Sequence, residues 1–145
     1  MRAVIQRVKK SKVVVDNETV GSIIEGLLVL FAVHVDDTEE LIKKMADKII
    51  NMRIFEDDNQ KMNLSVKDTG GEIMVVSQFT LYGDCKKGNR PSFIKSARPE
   101  KADLYYNKFI EYMRSNGFKV ATGKFGESME VELVNNGPTT IVLDI

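Results

Sequence analysis

The chain has 145 residues, with 21 Lys and Arg against 21 Asp and Glu, one His and one Cys. That length suits one domain able to bury a core without metals or crosslinks, and the zero formal net charge excludes a globally basic nucleic-acid coat or an acidic tail, so any nucleic-acid contact must come from a local patch. The lone Cys85 can form no internal disulfide and, with a lone His34, leaves no zinc set, as expected in a reducing cytoplasm.

Met1 to Val8 alternates apolar with polar side chains and is broken by charge, which predicts a strand and argues against a signal peptide or membrane anchor. Lys12 to Val15 predicts another strand, Asp16-Asn17 a turn, and Thr19 to Ile24 a third strand. After Gly26 the run Leu27 to Val33 is apolar on both faces, the mark of a central strand. Asp36 and Asp37 then read as helix caps with Glu39 and Glu40 as capping-box partners, ahead of a core stripe of Leu41, Ile42, Met45, Ala46, Ile49 and Ile50. Arg53 to Phe55 predicts a strand and Glu56 to Asn59 a surface turn. The turn pair Gly70-Gly71 opens an apolar, β-branched run from Glu72 to Val76, read as a buried strand, and Gly83-Asp84 turns the chain away after it. A second helix starts near Pro99, carries Ala102, Tyr105, Tyr106, Phe109 and Met113 on one side, and ends at Gly117. Phe118 to Ala121 is a strand, Gly123 to Gly126 a link, and Met129, Val131 and Leu133 face one way along a further strand. Asn135-Asn136-Gly137-Pro138 predicts a turn into a last strand, Thr139 to Leu143. With no linker, repeat or low-complexity tract, residues 1–145 form a single domain of α+β class, strands dominating over two main helices.

Ser77, Gln78 and Thr80 bring two hydroxyls and a carboxamide to the end of a buried strand, where uncharged polar groups can orient a neutral carbonyl; the plain alternative is an edge strand with ordinary polar residues. His34 ends an apolar run and reads as structural, so no serine or threonine triad is visible. Gly83 to Gly88 has the glycine spacing of a phosphate loop, but Asn89-Arg90 stands where Lys-Ser/Thr is required. Cys85 has Lys86 and Lys87 beside it and no base adjacent in sequence, so it reads as inert. The sequons at Asn17 and Asn63 carry no weight without a secretion signal. A local basic run, Lys86, Lys87, Arg90, Lys95, Arg98 and Lys101, follows the polar strand end directly. A neutral polar site with a cationic rim suits a carbonyl attached to a polyanion, whereas the rim alone is equally a solvated loop.

Five segments, in order, carry a resemblance: Met1 to Val8, Arg53 to Asp57, Val76 to Asp84 with its Ser-Gln-Phe-Thr signature intact, Gly88 to Phe93, and Asn135 to Thr140. Over essentially its whole length the chain resembles the D-aminoacyl-tRNA deacylase family. It departs from that family at Asn136 and Thr139, where Asp and Val are common, but keeps Gly137-Pro138.

The resemblance implies a mostly antiparallel, barrel-like fold in a symmetric homodimer that acts on tRNA in the cytoplasm, with no metal, cofactor or membrane. It implies hydrolysis of the ester between a D-amino acid and tRNA, and of glycyl-tRNA. The backbone at Gln78 and Phe79 with the Ser77 and Thr80 hydroxyls is expected to line the pocket. Phe125 and Met129 are expected on the terminal-adenosine side; Lys86, Lys87 and Arg90 of the basic run are expected, from their charge, against tRNA. Gly137-Pro138, fixed by Arg7, is expected to enter the partner subunit's pocket as a cis pair, although about one X-Pro bond in twenty is cis and the residues alone favour a plain turn. Thr80 is either a nucleophile or a binding residue while the tRNA's own 2′-hydroxyl helps activate water; with no base in view, the second role is favoured. Rival functions are an editing deacylase of other specificity, acting on L-alanyl-tRNA or resembling the domain attached to archaeal threonyl-tRNA synthetases, and a non-catalytic RNA-binding module.

Overall fold

In a computed structural model describing residues 1–145, the chain runs β1 (Arg2–Val15), β2 (Glu18–Ile23), β3 (Gly26–Ala32), α1 (Glu40–Ile50), β4 (Phe55–Glu56) and β5 (Met62–Leu64). It continues through α2 (Val66–Thr69), β6 (Glu72–Ser77), a 3-10 turn (Phe79–Tyr82), α3 (Pro99–Ser115), β7 (Val120–Thr122) and β8 (Glu130–Asp144).

Strand β1 is the spine. One edge pairs antiparallel with β3 through Arg2–Val8 and with β2 through Ser11–Val15; the other runs against β8 along nearly its whole length. The two strands expected before Asp16 are therefore one, because β8 supplies ladder partners straight across Lys10 and Ser11. β6 pairs parallel with β3, and β7 parallel with β6, making the sheet mixed with antiparallel pairs in the majority. β7 then returns against β2. A Cβ on Gly21 would collide with the Thr122 carbonyl, so glycine permits the approach that leaves the sheet a nearly closed barrel.

The apolar run of β3 is explained by burial on both faces. Leu27, Val29 and Phe31 meet the helices, whereas Leu28 faces the barrel interior with Val8, Val13, Ile23, Met74 and Val76. On the helix side α1 buries Ile42, Met45, Ala46, Ile49 and Ile50, and α3 buries Tyr106, Phe109, Ile110 and Met113. Phe31 stacks on Phe109 at 4.3 Å between centroids. Burial of each such large apolar side chain is worth about 2 kcal/mol.

Four local expectations change. The capping box at α1 does not form: Glu39 is the N-cap without a side-chain bond, while Asp37 is buried and accepts the Met1 ammonium at 2.7 Å and the His34 N–H at 2.6 Å. A buried cation without a partner is costly, and that requirement outranks a helix cap. The box forms instead at α2, a helix absent from the expectations, between Ser65 and Asp68, with left-handed Gly70 closing it. Arg53 and Ile54 lie outside the short strand β4, which pairs with β5. Finally, Asn135 to Pro138 is no turn between strands: β8 is continuous, and the tetrad Asn136–Thr139 bulges out opposite Arg7 alone, between the pairs Gln6–Thr140 and Val8–Asn135.

Candidate active site

β6 ends at Ser77, the register partner of Phe31. The Gln78 N–H donates to the Phe31 carbonyl at 2.8 Å and so closes the ladder. Beyond it the backbone breaks, with Gln78 at φ −147° and ψ 73°, and winds into the 3-10 turn. At the start of that turn the N–H groups of Phe79 and Thr80 find no acceptor within the chain, as the first donors of a helical turn generally do not. Two adjacent peptide donors are thus free where Gln78 was expected to supply one of them. The Gln78 side-chain amide donates to the Thr80 hydroxyl oxygen, which fixes that group.

The far end of the turn is clamped. Arg2 Nη1 donates to the Leu81 carbonyl at 2.9 Å, while Nε and Nη2 grip the two carboxylate oxygens of Asp144 at 2.7 and 2.9 Å. The guanidinium also lies 5.0 Å from the centre of the Tyr82 ring. The hydrogen bond from Arg2 holds the Asp144 carboxyl below its usual range, and burial pushes the Tyr82 hydroxyl up. Neither Arg2 nor Asp144 carried a local signal marking it as part of this site.

Between the turn and α3 opens a cavity of about 390 Å³ whose wall includes Phe31, Ser77, Gln78, Phe79, Ser96, Tyr106 and Phe125. Its aromatic lining is organised by Phe79 edge-on to Phe93 at 5.1 Å and Tyr106 against Phe125 at 5.9 Å. The Tyr106 hydroxyl donates to the Val75 carbonyl at 2.8 Å and burial raises its pKa, so it stays neutral and offers no base. His34 stands outside the cavity, edge-on to Tyr82 at 5.1 Å, its Nδ1 accepting the Asp36 N–H. A larger cleft of about 740 Å³ lies along α1, but solvated Lys and acidic side chains line most of it and none of the expected site residues does.

Of the expected residues, Ser77, Gln78, Phe79 and Phe125 are on the cavity wall, whereas Thr80, one residue along the turn, and Met129 are not on it. The Met129 sulfur accepts the Lys124 N–H at 3.3 Å and packs with the barrel interior, directly behind the link that carries Phe125. Lys86, Lys87 and Arg90 are exposed in a loop pinned by reciprocal Asp84–Ser92 backbone bonds of 2.9 Å. Lys86 also joins Arg2, His34 and Lys95 along an adjoining cleft of about 630 Å³. No group of three or more His, Cys, Asp or Glu comes together as a metal set.

The Gly137–Pro138 peptide is cis, and both residues are exposed on the bulge of β8. Arg7, buried beneath them, donates to the Asn136 carbonyl at 3.1 Å and the Ile54 carbonyl at 2.7 Å. Gly137 adopts φ 123°, and a Cβ there would lie 2.9 Å from Arg7 Nη2 and 2.7 Å from the Thr139 hydroxyl. Arg7 pairs with Leu27 whereas Ser77 pairs with Phe31, so bulge and cavity are about 13 Å apart along β3 at the rise of a strand. Within one chain they do not meet.

The family model for D-Tyr-tRNA(Tyr) deacylase matches residues 4–144. A D-aminoacyl-tRNA deacylase of Thermotoga petrophila is 58% identical, and one of Clostridioides difficile 57%, each alignment covering 99% of this chain and 97% of the relative. Among solved structures, one described as a c-Myc DNA unwinding element binding protein superposes with a TM-score of 0.94 at 40% identity, covering 100% of this chain and 99% of its own. Another, described as a probable eukaryotic D-amino acid tRNA deacylase, gives 0.86 at 19% identity over 99% and 98% of the two chains, a likeness of fold.

Proposed function

This chain belongs to the D-Tyr-tRNA(Tyr) deacylase family, and from that premise we propose that it hydrolyses the ester joining a D-amino acid to tRNA, releasing the free amino acid and intact tRNA. The observation that carries the mechanism is the pair of free N–H groups at Phe79 and Thr80, beside a cavity with no histidine, carboxylate or thiol on its wall. An aminoacyl ester is already activated, and its ribose bears a vicinal hydroxyl. Hydrolysis therefore needs a positioned water and a stabilised oxyanion more than a strong base, and no cofactor. Water adds to the carbonyl carbon, the two peptide donors hold the charge that develops on its oxygen, and the ester C–O bond breaks as the water's proton passes to the leaving ribose oxygen.

In this reading Thr80 orients substrate. Its oxygen already accepts a bond from the Gln78 amide, which lowers its power as a nucleophile, and no base stands by to activate it. Ser77 shapes the same wall, Phe125 offers a face for the terminal adenosine, and Met129 supports the link beneath Phe125. Lys86, Lys87 and Arg90 contact phosphate without discriminating among aminoacyl groups.

Chirality is assigned to Gly137 and Pro138 acting across a two-fold dimer. What supports this is their separation from the cavity of their own chain, together with their exposure on a bulge held rigid by Arg7. Hydrophobic recognition separates close analogues by about ten- to two-hundred-fold, so near-complete sparing of L-substrates calls for occupying the space their side chain needs. Glycine has no side chain to exclude, and glycyl-tRNA is accordingly a substrate. No helix is long and apolar enough to cross a membrane, and the place of action is the cytoplasm, where translation supplies aminoacyl-tRNA.

The test is deacylation of D-tyrosyl-, L-tyrosyl-, glycyl- and L-alanyl-tRNA by the purified protein. D-tyrosyl- and glycyl-tRNA should be consumed and L-tyrosyl-tRNA spared. Turnover confined to L-alanyl-tRNA would reassign the specificity, and tRNA binding without turnover would make the chain a binding module.

A further inference from the structure

The 3-10 turn presents free N–H groups at one end and is held by a cation at the other. Peptide dipoles in such a turn align, so the free donors at Phe79 and Thr80 form its positive end and the Leu81 carbonyl lies towards its negative end. Arg2 Nη1 donates to that carbonyl at 2.9 Å, and a cation there both complements the dipole and polarises the hydrogen-bonded peptides behind it. The guanidinium is oriented from two further sides: Asp144 accepts its other edge through paired contacts of 2.7 and 2.9 Å at the surface, and Tyr82, the last residue of the turn and itself buried, lies under its plane. No other side chain bonds the Leu81 carbonyl.

We propose that Arg2 is a positioning residue for the deacylation, fixing the Phe79 and Thr80 donors through the Leu81 carbonyl, and that Asp144 acts only by orienting Arg2. This rests on the deacylase reading of the site. The fork geometry matters as much as the charge, since a single ammonium cannot bond Leu81 and Asp144 bidentately while lying flat over a ring. Because the donors act on charge that exists only in the transition state, disturbing them lowers kcat and leaves KM nearly unchanged.

The experiment compares single-turnover and steady-state deacylation of D-tyrosyl-tRNA by the unaltered protein with that by Arg2→Gln, Arg2→Lys, Asp144→Asn and the double variant Arg2→Gln/Asp144→Asn. Thermal unfolding of each gives the folded fraction. Arg2→Gln should lower kcat by roughly tenfold to a hundredfold, the cost of moving donors by a fraction of an ångström, with KM within about twofold. Arg2→Lys should recover part of the loss, Asp144→Asn should lower kcat less than Arg2→Gln, and the double variant should equal Arg2→Gln. A merely structural role predicts lower unfolding temperatures with unchanged kcat per folded molecule, and that result would overturn the proposal, as would additive losses in the double variant or a rise confined to KM. Failure of the unaltered protein to deacylate would instead strike the functional reading itself.

Discussion

At the scale of single residues, the site is defined by what is already bonded. The Gln78 N–H belongs to the sheet through Phe31, which leaves Phe79 and Thr80 as the unbonded donors of the turn. Replacing the Thr80 amide by an ester in a semisynthetic chain deletes one donor and leaves the side chain intact; the deacylation rate should fall by about a hundred- to a thousand-fold. Thr80→Ala should slow the reaction but leave measurable turnover, and mass-spectrometric capture of an aminoacyl adduct on Thr80 would show that it is the nucleophile after all. Arg7 braces the bulge from beneath, because its guanidinium satisfies both the Ile54 and Asn136 carbonyls from a buried position. Arg7→Lys keeps the charge and loses the fork, so denaturant unfolding should report a loss of about 2 kcal/mol.

Among the elements, β6 and the loop after the 3-10 turn make separable contributions. Glu72, the first residue of β6, accepts from Lys119 ahead of β7 and from the Ile24 N–H at 2.9 Å ahead of β3, tying three strands at one end. The bond from Lys119, followed by that from Ile24, holds its carboxyl below the ordinary 4.5. A depressed folded value means that the stabilisation is fully present above the unfolded pKa and is lost as pH falls through the folded one. Glu72→Gln should therefore lower the unfolding temperature at neutral pH, and the gap to the unaltered protein should close in acid. A gap independent of pH would mean that the carboxylate charge is not what ties the strands. In the loop, neutralising Lys86, Lys87 and Arg90 together should weaken binding of all aminoacyl-tRNAs alike and flatten its salt dependence, with the fold unchanged. Unaltered affinity across a salt titration returns these residues to the role of a solvated loop.

For the whole molecule the proposed function poses the question of how a bulge and a cavity about 13 Å apart along β3 serve one reaction. The proposed two-fold dimer answers it, and the outer face of β1 and β8 is suited to cover: Val142 is 64% exposed and stands opposite the half-buried Val4. Sedimentation should find a dimer. Gly137→Ala forces a side chain against Arg7 and Thr139 and should distort the bulge, so L-tyrosyl-tRNA should begin to be hydrolysed while the dimer persists. A monomer that still spares L-tyrosyl-tRNA would leave chirality to some feature of a single cavity.

What the sequence determined by itself is whatever depends on near neighbours along the chain. The period of Ile42, Met45, Ala46 and Ile49 marks one helix, Pro99 and Gly117 bracket another, and the uninterrupted apolar run of β3 announces burial on both faces. The Ser-Gln-Phe-Thr segment and its ordered companions placed the chain in its family. Tertiary structure decided everything that turns on who pairs with whom. Lys10 and Ser11 continue a strand because β8 lies beside them, and Asp37 serves the Met1 ammonium because that charge arrives from 36 residues away. Asn136 to Thr139 bulges within a strand because both flanks are locked into one ladder. The clamp of Arg2 on Leu81 spans 79 residues of chain, and an Arg at position 2 looks the same in sequence whether or not a carbonyl waits for it. Periodicity is a local property and can be read from local residues, whereas satisfying a buried donor, acceptor or charge depends on distant groups that only the folded chain brings within reach.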